Sequence, residues 1–233
     1  MKNSSKVRPF SSAHSLAELV IILLAIYASI NLVAIGVKFS GTLTHGTDLI
    51  TNNGARSIVE TLQWLALLIA WIFFLIWFYR AHGNLRALGV RRGRYASRWS
   101  ILLFFVPLLN LYYTYDLVKE LWKQSSPDLG FSDDFLKQHA ATLEQYPSKT
   151  ALVGWWWGFT IASIVAARTS LRIEMLGAGT SDQITVTWIT MISDALAITA
   201  SIMLILVVKK IDVRQEEKHR RLTLDTATQP TLF

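Results

Sequence analysis

The chain contains no cysteine. That excludes disulfides, thiolate nucleophiles, Cys-ligated metal clusters and a lipidated cysteine anchor. Charge is scarce: Asp, Glu, Lys and Arg make up 17% of residues, where a soluble domain carries about 25%. Histidine is thin and poorly placed for membrane redox chemistry. His14, His45, His82, His139 and His219 all fall outside the apolar runs, so a bis-His membrane haem has no ligands. No HExxH, P-loop, GxSxG or dinucleotide fingerprint occurs, and there is no internal repeat or low-complexity tract. Neither a cofactor nor a metal is expected.

Apolar surface is what the chain has in excess. Of its 233 residues 52% are hydrophobic, with nine Trp. A soluble protein this small could not bury so much, whereas a bilayer is itself an apolar solvent. The net charge is +7, but the basic residues flank apolar runs. That pattern reads as positive-inside topology and contact with anionic lipid headgroups, not as nucleic-acid binding. The N-terminus, MKNSSKVRPF before an apolar run, mimics a signal peptide, and Ala34 and Gly36 supply a small-x-small pair. The run from Leu19 to Val37 is longer than the roughly 7–15 residues of a signal h-region, so an uncleaved first helix is expected.

Four runs have spanning length: residues 16–37, 58–79, 151–171 and 184–208, each near the 20 residues a membrane helix needs. A fifth candidate is WSILLFFVPLLNLYYTYDLVKELW, residues 99–122. Charge decides its fate. If it enters and leaves on one side, 19 of the 23 Lys and Arg lie with both termini in the cytoplasm; if it spans, the two sides hold 11 and 12. Positive-inside bias prefers the first arrangement. Only Trp99 to Leu111 is apolar, too short to span. Pro107 breaks or bends a helix, Asn110 can satisfy backbone groups freed by the break, and Tyr112, Tyr113 and Tyr115 favour the headgroup zone. The polar half, DLVKELWKQ, is expected to lie on the membrane surface as an amphipathic helix.

Residues 1–15 read as a cytoplasmic tail, 16–210 as a single membrane domain, 123–150 as a cytoplasmic loop and 211–233 as a cytoplasmic tail, partly disordered. The second span is expected to continue through RAHGNLRAL, with Gly89 ending the helix. GVRRGRYASRW has four Arg and no acid and suits a loop against lipid phosphates. FLKQHAATLEQY reads as a short helix opened near Ser132 or Asp133.

Three strings, FYRAHGNLRALG, FVPLLNLYYTYDLVKELWKQSSP and GWWWGFTIAS, in that order, resemble the bacterial membrane family catalogued as domain of unknown function 4328, over roughly residues 60–210. The matching positions are Arg80, Asn84, Arg86, Pro107, Asn110, Tyr115, Glu120, Leu121, Trp122, Trp155 and Trp156. Family members often carry a Pro just before the Tyr; here Thr114 stands there, which implies a softer second bend. The resemblance implies an architecture and a cytoplasmic-membrane setting, and no activity.

Asp194, near the middle of the fourth run, is the first candidate for function. An ionised carboxylate at that depth costs several kcal/mol unless paired or wet. Thr187, Thr190 and Ser201 share its helix face at steps of three, four and seven. Arg168 in the third run lies within about 5 Å of the same depth at 1.5 Å per residue, so an Arg168–Asp194 pair, or a protonated Asp194 bonded to a Thr, is expected. Such a pair is structural, a proton or ion relay, or a seat for a partner subunit's polar group. Gly154, Gly158, Ala162 and Ala166 recur every four residues and let helix backbones approach closely, within one bundle or at a dimer seam. Arg80, Asn84 and Arg86, with Arg91, Arg92, Arg94 and Arg98, form a basic cytoplasmic face. Its first three members are expected to meet the re-entrant motif of Pro107, Asn110, Tyr115, Asp116, Glu120 and Trp122. An anionic ligand or lipid headgroup would also suit it. No nucleophile or metal ligand accompanies Asp116 and Glu120, which argues against catalysis there.

The reading is an all-α integral membrane protein with four transmembrane helices and a Pro-broken re-entrant or interfacial segment on the cytoplasmic side of a bacterial inner membrane. Its expected role is non-catalytic: an accessory, scaffold or sensor component, as a homo-oligomer or in a larger complex. A small oligomeric transporter or channel using the Asp194 face is the alternative, and an intramembrane enzyme the remaining one.

Overall fold

A computed structural model describes residues 9–43, 49–89, 107–126, 150–176 and 180–228. The regular structure among them is helical: α1 (His14–Leu43), α2 (Leu49–Ala87), α3 (Pro107–Gln124), α4 (Ala151–Met175) and α5 (Thr180–Thr228). The loop at Arg91, Arg92, Arg94 and Arg98, the apolar start of the 99–122 segment and the helix expected after Ser132 lie outside the described residues.

Four of these helices, α1, α2, α4 and α5, are long and apolar enough to cross a membrane. Their surfaces agree. Trp64 is 71% exposed and Leu32 64%, and Ile26, Leu65, Leu68, Val165 and Ile192 are exposed as well. In water such a belt would drive aggregation; against lipid tails it is matched solvent. The protein is an all-α membrane protein.

The chain divides into two compact units. One comprises residues 20–72 and 152–206. Val20, Leu24, Ala34, Ala70, Val153, Trp156, Val186 and Leu204 are buried there. Small and branched residues let the helices approach without a large core.

The other unit comprises residues 1–19, 73–151 and 207–233. The C-terminal part of α2 supplies Phe74, Trp77, Phe78, Ala81 and Leu85, α3 supplies Leu117, Val118, Leu121 and Trp122, and α5 supplies Val207, Val208 and Ile211, all buried. Two expectations are corrected here. The polar half of the 99–122 segment is amphipathic, but its apolar face is buried in this core and not laid on a surface. The C-terminal tail, expected to be partly disordered, is helix from residue 211 as far as Thr228. Its apolar and long polar residues recur at steps of three and four, which buries Ile211, Arg214, Gln215 and Lys218 along one stripe.

Pro107 opens α3 as its first helical residue. There its missing N–H costs nothing and its fixed φ suits the first turn. Asn110 lies one turn further on. Helix α3 runs unbroken through Thr114 to Gln124. Past Ala87, Gly89 takes φ +81°, a left-handed conformation that ends a helix cheaply only with glycine; Leu88 N–H still donates to Asn84 O at 3.0 Å.

Candidate functional site

The 20–72 and 152–206 unit holds a buried polar centre. Asp194 of α5 and Lys38 of α1 are 8% and 7% exposed, and Lys38 Nζ donates to Asp194 Oδ2 at 2.6 Å. Gln63 of α2 donates from Nε2 to Asp194 Oδ1 at 3.1 Å and to Asn31 Oδ1 at 2.9 Å. Asn31 Nδ2 donates in turn to Tyr27 O at 2.7 Å. One ammonium, one carboxylate and two carboxamides thus tie three helices together. Each satisfies another, as buried polar groups must.

The expected Arg168–Asp194 pair does not form. Arg168 is exposed, and Lys38 holds its place. Arg168 has the wrong azimuth. Ser193 Oγ donates to Ser163 O at 2.9 Å, so the Ser163 side of α4 faces α5. At 100° per residue Arg168 lies about 140° around from Ser163. Nor does a Thr bond Asp194. Thr187, Thr190 and Ser201 hydroxyls donate to carbonyls of their own helix, at Gln183, Thr187 and Ala197.

Sequence reasoning misses Lys38 because a 20-residue template ends the first span at Val37 and leaves the lysine to a loop. In fact α1 continues to Leu43. The usable signal is the spacing of Asn31 and Lys38, two helical turns apart on one face. Beyond Lys38, Arg56 Nε donates to Glu60 Oε1 at 2.9 Å, and Arg56 Nη2 lies 3.6 Å from Glu174 Oε1. The crevice lined by Ala34, Val37, Lys38, Arg56, Val59 and Glu60 is too narrow to hold a water molecule. In the small-residue stripe, a Cβ added at Gly154 or Gly158 would meet nothing within 4 Å; Gly158 and Ala162 are exposed, whereas Gly154 and Ala166 are half-buried.

The second unit carries its own polar arrangement. Arg80 and Asn84 do not close onto α3; they grip the segment before α1. Asn84 accepts from Ser11 N–H at 3.2 Å and donates to Ser11 O at 2.8 Å, and Arg80 Nη2 donates to Ser11 Oγ at 2.6 Å. Arg86 is exposed. Phe10 stacks on His219 with centroids 4.0 Å apart, Ser12 Oγ donates to Glu216, and His14 Nδ1 meets Asp212 Oδ2 at 2.7 Å. These groups lie outside the spanning runs. The bond to Asp212, with Asp212 and Glu18 charge behind it, raises the His14 pKa above its ordinary value. Burial pushes the Asp212 carboxyl up, and the His14 bond opposes that rise.

The α3 motif has a different use from the one expected. Its C-terminal carbonyls are capped by cations from α5. Arg214 Nη1 donates to Trp122 O at 3.4 Å and Lys218 Nζ to Gln124 O at 3.3 Å, positions where a helix welcomes positive charge. Arg214 also lies 4.2 Å over the Trp122 ring. Gln215 Nε2 bridges Ala81 O and Ser125 Oγ. Glu120 accepts from Gln124 Nε2 at 2.8 Å, and Lys119 Nζ lies 5.0 Å over the Tyr115 ring. Asp116 is half-buried. His82 is buried with neither ring nitrogen bonded among the described residues, and burial lowers its pKa. No cluster of three His, Asp or Glu among the described residues could hold a metal.

A family model described as a domain of unknown function, DUF4328, matches residues 41–213. The chain belongs to the DUF4328 family. The match takes in α2, α3 and α4 whole and most of α5, so Asn84, Trp122 and Asp194 fall inside the DUF4328 region, the Ser11–His14 segment and Lys38 precede it, and Arg214 stands just past its end. No curated protein and no solved structure matches the chain.

Proposed function

We propose that the chain is a non-catalytic multi-pass protein of the bacterial cytoplasmic membrane, an accessory, scaffold or sensor component of a larger complex or homo-oligomer. Both termini and residues 90–150 lie on the cytoplasmic side. The closed Lys38–Asp194 pair carries this reading. A transport site must let its ionisable group meet water or cargo. Here Asp194 has both oxygens engaged, by Lys38 and Gln63, and the crevice beside Lys38 admits no water. The centre then serves to fix α1, α2 and α5, leaving outer surfaces for lipid and partner helices. The sidedness, including re-entry of residues 99–122, is supported by the 19 of 23 basic residues it keeps inside and by the start of α3 at Pro107. Exposed Arg80 and Arg86 suit anionic headgroups.

Purification in mild detergent should recover the chain with a fixed partner or as a defined homo-oligomer, and Asp194→Asn should not change ion flux in vesicles. The alternative, a small oligomeric transporter or channel, is favoured by the continuous run of ammonium, carboxylate and carboxamides through one unit. Proton flux reported by a pH-sensitive dye, present in the parent and lost in Asp194→Asn with expression unchanged, would establish it and overturn the accessory reading.

A further inference from the structure

The five residues before α1 form a strap, held by Asn84 and Arg80 at Ser11, by Glu216 at Ser12 and by the His219 ring at Phe10. At its inner end stands His14, and the geometry there sets a condition on protonation. Nδ1 lies 2.7 Å from Asp212 Oδ2, and Nε2 lies 3.3 Å from Glu18 Oε1. A neutral imidazole has one N–H; only the imidazolium donates from both nitrogens. Nδ1 is hydrogen-bonded to Asp212, whereas Glu18 is an ion-pair neighbour of Nε2; a neutral ring keeps only the Asp212 bond, and the imidazolium adds the attraction of both carboxylates.

We propose that this strap is a pH-responsive latch, closed while a protonated His14 is held between Asp212 and Glu18 and released when that proton leaves. The proposal rests on the sensor reading above. The groups facing His14 are Glu18 on its own helix and Asp212 and Glu216 on α5; Glu217, His219 and Arg220 of α5 line the same groove, and Arg80 of α2 reaches the strap at Ser11. Acids dominate this set, so the closed form retains a proton that free imidazole would shed. The folded pKa of His14 is raised. The latch contribution is thus fully present below the unfolded value of about 6.5 and lost as pH rises through the higher folded value. Release frees Phe10 from His219 and uncovers Ala13, 3% exposed when closed, beside a groove of about 630 Å³ lined by His14, Asp212, Glu216 and His219.

The absence of native cysteine makes the test direct. Ala13→Cys places a single thiol at the buried end of the strap, and Ala17→Cys places one inside α1, at 2% exposure. Each full-length variant is alkylated by a maleimide in detergent micelles, with rates normalised at every pH to free glutathione to cancel thiolate ionisation. Protection of the thiol in Ala13→Cys should fall about tenfold or more between pH 6 and pH 9 while the thiol in Ala17→Cys stays protected, the pattern of local opening. In the Ala13→Cys background, His14→Lys supplies a cation that does not titrate in this range and should keep the strap thiol protected throughout; His14→Gln should leave it reactive at every pH. A flat pH profile, the same profile surviving in His14→Gln, or parallel exposure of the thiol in Ala17→Cys would each overturn the latch. Purified protein suffices for this readout, whereas the accessory reading stands or falls on partner capture, so the two failures are distinguishable.

Discussion

Asp194 is legible in the sequence because an acid amid apolar residues has few exits: it is paired, protonated or wet. Its partner is not legible, because a lysine just past an apolar run reads as an interface anchor that reaches toward water. Lys38 instead turns inward and is 7% exposed. A single change tests the pair. Lys38→Met leaves a buried carboxylate without its cation and should destabilise by about 3–5 kcal/mol, whereas Lys38→Met with Asp194→Leu should regain most of that, as apolar replacement of both partners does elsewhere. Thermal unfolding in detergent, read as a melting temperature for each variant, decides it. If the single and double variants melt together, the pair is not the fastener inferred here. Gln63→Leu removes a neutral interhelical bond only and should cost less, on the order of 1 kcal/mol.

Helix α5 is the element that sequence patterning most underestimates. Its 49 residues extend about 73 Å at 1.5 Å per residue, against the roughly 30 Å of a bilayer core. Hydropathy stops at Val208, where Lys209 and Lys210 begin a charged stretch, and charge density masks the stripe of Ile211, Arg214, Gln215 and Lys218. Those long polar side chains are buried because each meets a carbonyl or a ring: Arg214 on Trp122, Gln215 on Ala81, Lys218 on Gln124. Helix α3 reads more accurately as amphipathic, since Leu117, Leu121 and Trp122 recur at helical spacing; what its sequence does not convey is the element that covers that face. Arg214→Ala should remove the cap and the ring contact together, costing about 1–3 kcal/mol. Arg214→Lys should recover only part, because an ammonium lacks the planar face that stacks. Melting temperatures of the two variants give the order, and equal losses would show that the residual ammonium contributes nothing at this site.

At the scale of the molecule, four apolar runs of spanning length predict α1, α2, α4 and α5 without ambiguity, since little besides a bilayer requires 20 consecutive apolar residues. The proposed sidedness rests on where Lys and Arg refuse to go. Reporter tags placed near Ser132 and at the C-terminus are both expected in the cytoplasm; either one in the periplasm would invert the assignment of α3 and of the α5 extension. The Lys38–Asp194 pair has a consequence for how the whole protein meets an energised membrane. Voltage does work on net charge, about 2.3 kcal/mol per elementary charge per 100 mV. An ammonium and a carboxylate in contact at 2.6 Å sum to zero, so the field has a small dipole to turn and no monopole to pull, and a collapse or surge of membrane potential leaves this fastener undisturbed.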